Sequence, residues 1–345
     1  MVLLLFPIDS LADGRTPVRI SAFGQQPQIA LGPGGETYVV FGEGNSIFIQ
    51  VSRAPGKPFS EPKKIAELDH LALGKRRGPR LAVTNNYVIV SAIGKAGNLQ
   101  AWRSKDGGIS WAGPVNVNDR EATAREGLHT VCAVKGDGVF AAWLDLRHGK
   151  TELAEARSPD GGKTWSENSM IYQSPDGHIC ECCHPSAVAD GTGRIYVMWR
   201  NWLNGARDMY AAVSRDGGAT FGPAVKLGTG SWPLKACPMD GGSLAASAKQ
   251  GIGTVWRREG NLFYMPGLSA GEKFLGEGSQ PVVAYSRDAA YMLWQSNGSI
   301  FLLAPGNGEP SNMGKGAFPS IVGSPYRPKP VAVWEDGQGI VLLGW

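Results

Sequence analysis

The sequence predicts an all-β chain folded as a single β-propeller domain over 1–345, with seven four-stranded blades. Three observations carry that expectation. An octapeptide recurs as Ser104-Lys105-Asp106-Gly107-Gly108-Ile109-Ser110-Trp111, as Ser158-Pro159-Asp160-Gly161-Gly162-Lys163-Thr164-Trp165 and as Ser214-Arg215-Asp216-Gly217-Gly218-Ala219-Thr220-Phe221. Its copies start 54 and 56 residues apart, and self-similarity at a fixed period of this size marks a solenoid, propeller or array. No segment of useful length has a helical period, while 48 Gly and 23 Pro supply turns and 11 Trp supply large anchors for a core.

Each copy fits a tight turn between two strands. The Asp carboxylate accepts N–H groups of its own turn, the glycines reach positive φ at little steric cost, and the closing aromatic is a large apolar surface to bury. A worn copy, Ser52-Arg53-Ala54-Pro55-Gly56-Lys57-Pro58-Phe59, keeps the serine, a glycine and the aromatic. Around these turns a template repeats: an inner strand opening near a proline, a second strand ending in an aromatic, a third strand, the turn and a fourth strand. The first pass holds 27–30, 38–41, 47–50 and 62–65, and the second opens at Pro79. The others open at His129, His184-Pro185, Cys237-Pro238, Gln280-Pro281 and Phe318-Pro319. Their second strands reach Trp143, Trp199, Trp256, Trp294 and Trp334, a row predicted to pack blade against blade. The last pass has only about three strands, so a strand from the N-terminal part is expected to complete it. That role falls to the apolar run Val2-Leu3-Leu4-Leu5-Phe6, and closure removes exposed sheet edges.

The octapeptide resembles the Asp-box of sialidase-type (BNR-repeat) β-propellers. The resemblance implies that the boxes lie at the blade periphery, on the face away from the active site; the six blades of sialidases make six the alternative to the seven counted here. It further implies a carbohydrate-active hydrolase or lyase, an exo-glycosidase gripping a substrate carboxylate with arginines at the channel mouth. By position Arg200 and Arg257 fill that role, with Arg80, Arg147 and Arg258 as further substrate-binding candidates. The family's Phe/Tyr-Arg-Ile-Pro element is replaced by Val18-Arg19-Ile20-Ser21, and no rim tyrosine with a neighbouring glutamate is identifiable as the nucleophile pair. An acid and base pair is expected among Glu181, Asp240 and Asp145, with Glu126 beside them.

A formal charge of +4 and a pI near 8.7, with no basic run longer than Lys75-Arg76-Arg77, argue against nucleic acid. That triplet reads as a solvated loop. No apolar run approaches the roughly 18 residues of a membrane span. The densest chemistry is Cys180-Glu181-Cys182-Cys183-His184-Pro185 with Cys237-Pro238-Met239-Asp240. In the propeller register both stretches fall at adjacent blade rims, one blade from His129. Three readings stand: disulfides tethering rim loops, thiol redox chemistry, or a copper or zinc site drawn from His129, Cys180, Cys182, Cys183, His184 and Cys237. Cys132, inside an apolar strand, reads as a small buried hydrophobe. The cysteines favour a periplasmic or secreted protein whose leader has been trimmed, with a cytoplasmic location the alternative. Expected partners are a glycan or small anionic ligand at the channel mouth, or a protein docked on the rim.

Overall fold

The structure is a computed structural model and describes residues 14–344. It contains seven sheets of four antiparallel strands. Six sheets take their strands in chain order, from an innermost first strand to an outermost fourth. The innermost strands are Gln25–Leu31, Arg80–Val83, His129–Ala133, Ser186–Ala189, Ser243–Ser247, Ser279–Ser286 and Ala317–Val322, and each touches the next around a closed ring. Blade count and chain order therefore follow the sequence expectation. Among the described residues no helix is long and apolar enough to cross a membrane.

The seventh blade pairs Val18–Ser21 with Ile340–Leu343 as its outermost strand, with Val18 opposite Leu342. The closing strand is thus Val18–Ser21, while the run 2–6 lies outside the described residues. Arg19 locks this edge through Asp336, donating at 2.9 and 2.6 Å to its two oxygens. The Val-Arg-Ile-Ser element is therefore a ring clasp, remote from the axis.

Seven apolar clusters hold the ring, one between each pair of neighbouring blades. The tryptophan row supplies five of their largest members: Trp143, Trp199, Trp256, Trp294 and Trp334 are all 2% exposed or less. Burying one indole removes on the order of 150–250 Å² from water, roughly 4–6 kcal/mol of transfer free energy. Glycines make room for these rings. A Cβ on Gly316 would meet Trp334 Cδ1 at 2.2 Å, and one on Gly278 would meet Trp294 at 2.7 Å.

The Asp-boxes are turns, as their chemistry requires. Ser104 Oγ donates to Asp106 Oδ1 at 2.7 Å and accepts the Gly108 N–H at 2.8 Å, and the carboxylate takes the N–H groups of Ile109 and Ser110. The Asp160 and Asp216 boxes repeat this network. Hydrogen bonds from Thr220 and Ser214 bring Asp216 down to about 2. In the worn copy, where no carboxylate is present, the Ser52 hydroxyl donates instead to the carbonyls of Ala54 and Lys57. Because strands alternate direction, these third-to-fourth-strand turns sit on the face opposite the start of the innermost strands.

Candidate functional site

The channel has two unlike ends. At the Asp-box face it opens into a mouth of about 870 Å³, lined in part by Ala82, Val83, Cys132, Val188, Val322 and Tyr326. The Cys132 thiol is half-buried there and desolvation pushes it up to about 12. The other end, where the resemblance places a substrate pocket, is plugged by the protein itself. The loop 68–79 between blades one and two sends Arg76 across the axis. Its guanidinium donates to Gln280 Oε1 (2.9 Å), Gln280 O (2.9 Å) and Pro319 O (2.7 Å), and its backbone N–H donates to Gln26 Oε1 at 2.8 Å. The expectation of a solvated basic triplet is corrected: Lys75 is exposed, but Arg76 is 5% exposed.

Two carboxylates complete this plug. Asp240 accepts the Gln280 N–H at 2.7 Å and Glu335 accepts the Gln26 N–H at 2.6 Å. Gln26, Gln280 and Phe318 take φ of 53°, 55° and 51°, a left-handed bend just before the proline that opens each inner strand. Desolvation lowers Arg76 to about 10 against the pull of Asp240 and Glu335, and lowers Arg80 to about 9 with the Arg76 charge adding to it.

In-register channel positions are Gln28, Arg80, Thr130, Ser186, Ser243, Val282 and Ser320. Two residues earlier lie Gln26, Gly78, Leu128, His184, Gly241, Gln280 and Phe318. The expected rim positions His129 and Cys237 are therefore corrected to Leu128 and Gly241. Blade three has His129 where most blades have proline, and blade five has a longer lead-in after its Cys-Pro pair.

Beside the plug is the sulfur cluster. The Cys180 N–H donates to Arg200 O at 3.0 Å and the Cys183 N–H to Cys180 O at 3.4 Å, curling the segment so that its thiols converge. Cys180 Sγ lies 2.8 Å from Cys183 Sγ and 3.6 Å from Cys182 Sγ, and the three sulfurs lie within 4.8 Å of one another. All five cysteines of the chain are free thiols here. Arg207 Nη1 donates to Cys180 Sγ at 3.1 Å, its guanidinium lies 4.4 Å from the Trp202 ring, and it approaches Glu181 at 3.7 Å.

Burial alone would push the Cys180 thiol up. Hydrogen bonds from Cys182 and Cys183, with the charges of Arg200 and Arg207, outweigh it and bring Cys180 well below the ordinary thiol value. Cys183 is driven well above that value by burial and by its bond to Cys180. Cys237 is exposed and sits against Cys182, its thiol pushed up to about 11 by desolvation and then by that neighbour.

The histidines do not join the sulfurs; among the described residues the group that could hold a metal is Cys180, Cys182 and Cys183. His184 is tied at both ring nitrogens, Nε2 to Gly242 O at 3.0 Å and Nδ1 to the Gly241 N–H at 3.3 Å. His129 is fully buried with Nε2 2.9 Å from Ser91 Oγ. Burial, followed by nearby arginines, lowers both histidines well below the usual imidazole value. Their expected place in a metal site is thereby corrected.

The carbohydrate candidates are also placed. Arg200 is 1% exposed and donates to Asp240 O, Arg207 O and Arg257 O. Asp145 is fully buried under Arg147, Trp143 and Thr123, and Arg147 also reaches Asp119. Arg258 forms a bidentate pair with Glu272 at 2.8 and 2.9 Å. Arg257 lies 5.4 Å from the Trp232 ring and is half-buried, and Glu181 keeps 38% of its side chain exposed. Arg80 lines the channel, its donors directed to the carbonyls of His129, Pro79 and Arg76.

The sequence profile described as BNR repeat-like domain matches residues 47–251, more than half of the chain. None of the curated proteins compared with the chain matches it. Solved structures do match. A protein of unknown function from Dyadobacter fermentans aligns with TM-score 0.57 at 16% identity, over 96% of this chain and 98% of that one. The Aleuria aurantia lectin in complex with α-methyl-L-fucoside aligns with TM-score 0.55 at 12% identity, over 87% of this chain and 97% of that one. The α-L-arabinofuranosidase arb93a from Fusarium graminearum aligns with TM-score 0.53 at 13% identity, over 86% and 96%. At such identities the likeness speaks for the fold.

Proposed function

Because the chain belongs to the family of BNR repeat-like domains, whose propeller positions loops at the channel rim, we propose that it binds a soft cation, copper(I) or zinc. Cys180, Cys182, Cys183 and Cys237 would hold it. The observation that carries this reading is the convergence of three sulfurs within 4.8 Å beside a guanidinium that hydrogen-bonds one of them. Thiolates packed together repel, and a thiophilic cation relieves that repulsion. Arg200 and Arg207 compensate the negative charge left over.

The residues fit such an ion. Sulfurs around tetrahedral zinc stand ~3.8 Å apart, from a Zn–S distance of about 2.3 Å. The Cys180–Cys182 separation of 3.6 Å already matches, and Cys183 would move outward by about 1 Å. Bound zinc would cross-link the two rim loops, and bound copper would add carriage or one-electron chemistry.

Metal analysis of protein purified under reducing conditions, followed by titration with copper(I) or zinc, tests this. One equivalent should bind, with affinity reduced about 100-fold or more in Cys180→Ser and Cys183→Ser, as expected when a ligand is lost. His184→Ala should retain it. Four thiols that stay fully reactive in the presence of either metal, or that prove oxidised in pairs, would remove the reading.

A second reading, recognition or hydrolysis of an acidic glycan, has one specific support. Arg257 presents a half-buried guanidinium stacked near Trp232, on the same lip as Glu181, to which it is linked through Arg200 and Arg207. Turnover of a fluorogenic sialoside that disappears in Arg257→Ala would support it. Inertness across a glycoside panel, with glycan binding retained, would leave a non-catalytic glycan binder.

A further inference from the structure

Behind the Arg76 plug the channel holds a polar cavity of about 180 Å³. At ~30 Å³ per water it has room for about six waters. Its wall includes Arg76, Arg80, Gln28, Thr130, Ser243 and Ser320. Ile29, Val131 and Ala187 line both this cavity and the wide mouth at the Asp-box face, so the two lie end to end along the axis. The channel thus opens at the box face and is capped at its other end by the Arg76 plug.

The charge at the closed end is matched in number, two carboxylates to two guanidiniums, but unevenly placed, because both carboxylates act on Arg76 and none on Arg80. Arg76 has Asp240 and Glu335 near it. Arg80 is 5% exposed and its donors meet carbonyls alone, those of His129, Pro79 and Arg76. A guanidinium carries five N–H donors, and each of these two arginines directs three nitrogens at protein acceptors, leaving two N–H groups apiece. Gln28, Thr130 and Ser243 form no side-chain hydrogen bond among the described residues, although they stand on the same wall. A buried positive charge with spare donors and a ring of uncommitted polar groups calls for a counter-ion.

We propose that the closed end of the axial channel binds a small oxyanion of phosphate, sulfate or carboxylate type, admitted from the Asp-box face and held by Arg76, Arg80 and the hydroxyls of Thr130 and Ser243. The site is separate from the sulfur cluster and stands on different residues.

The experiment titrates the full chain with inorganic phosphate, sulfate and formate at constant ionic strength, read by calorimetry and thermal unfolding. Crystals soaked in selenate supply an anomalous signal. Saturable binding is expected, with selenate within hydrogen-bonding distance of Arg80. Arg80→Gln should weaken binding at least tenfold, the equivalent of about one charged hydrogen bond. Should that variant fail to fold, Thr130→Val and Ser243→Ala, which leave the arginines and their carbonyl partners in place, should each weaken it about three- to tenfold. Cys180→Ser should bind the anion unchanged, which separates this proposal from the metal site. No saturable response to any of the three anions, or a cavity holding only water after selenate soaking, would overturn it.

Discussion

Replacing Arg76 with methionine retains much of the side chain's bulk and deletes its charge. In the wild-type protein that charge satisfies Gln280 Oε1, Gln280 O and Pro319 O and stands between Asp240 and Glu335. The variant leaves these acceptors and carboxylates in place without their cation, and such one-sided removal costs about 3–5 kcal/mol. An unfolding entropy of about 2.1 cal/mol/K per residue gives roughly 0.7 kcal/mol/K for this chain, so the melting temperature should fall by about 4–7 °C. The neighbouring Lys75→Met is the control, since Lys75 is exposed and such surface changes stay within about 0.5 kcal/mol. Scanning calorimetry of both variants decides the matter. If Arg76→Met melts within a degree of Lys75→Met, Arg76 is not the keystone of the channel end.

Two further outcomes are expected. Burial pushes Glu155 up to about 7 from an ordinary value of 4.5, so the folded state holds its proton more tightly than the unfolded chain does. Its contribution is most favourable below about pH 4 and is lost as pH rises through 7. Glu155→Gln should therefore be near neutral at pH 4 and stabilising at pH 8 by urea unfolding, and a difference between the proteins that does not grow over that interval would refute the assignment. Gly316→Ala places a methyl 2.2 Å from Trp334 Cδ1, whose indole is anchored by its bond to Lys315 O. It should cost about 1–3 kcal/mol, while Gly308→Ala, with nothing within 4 Å, should cost under about 0.5 kcal/mol. Equal effects would show that the ring tolerates repacking at that seam.

The ring was legible because its determinants are local and copied. Each Asp-box forms a complete hydrogen-bonding unit, and each tryptophan marks the same point on a second strand, so counting them yields the blades. The gathering of Cys180, Cys182 and Cys183 was equally legible, being set by one short curled segment. What escaped the sequence depends on loops that reach across the axis. Nothing near Lys75-Arg76-Arg77 indicates that its middle residue crosses to blades six and seven, because its acceptors lie more than 200 residues away. Lining up the passes puts His129 and Cys237 at the rim, but blade three lacks the proline that fixes the register elsewhere, and in blade five the Cys-Pro pair comes early because the lead-in is longer. His184 sits where expected, yet its ring nitrogens are taken by the backbone of the next blade, a fact of register that no spacing encodes.

The clasp of Val18–Ser21 onto Ile340–Leu343 sets the order in which this protein can be made. A ribosome delivers the clasp strand ahead of all seven blades and its receiver more than 300 residues later, so six finished blades wait as an open arc with both flanks bare. Locking is deferred until the seventh blade has emerged, and a chain cut short before Ile340 retains every Asp-box yet lacks the edge that would complete the circle.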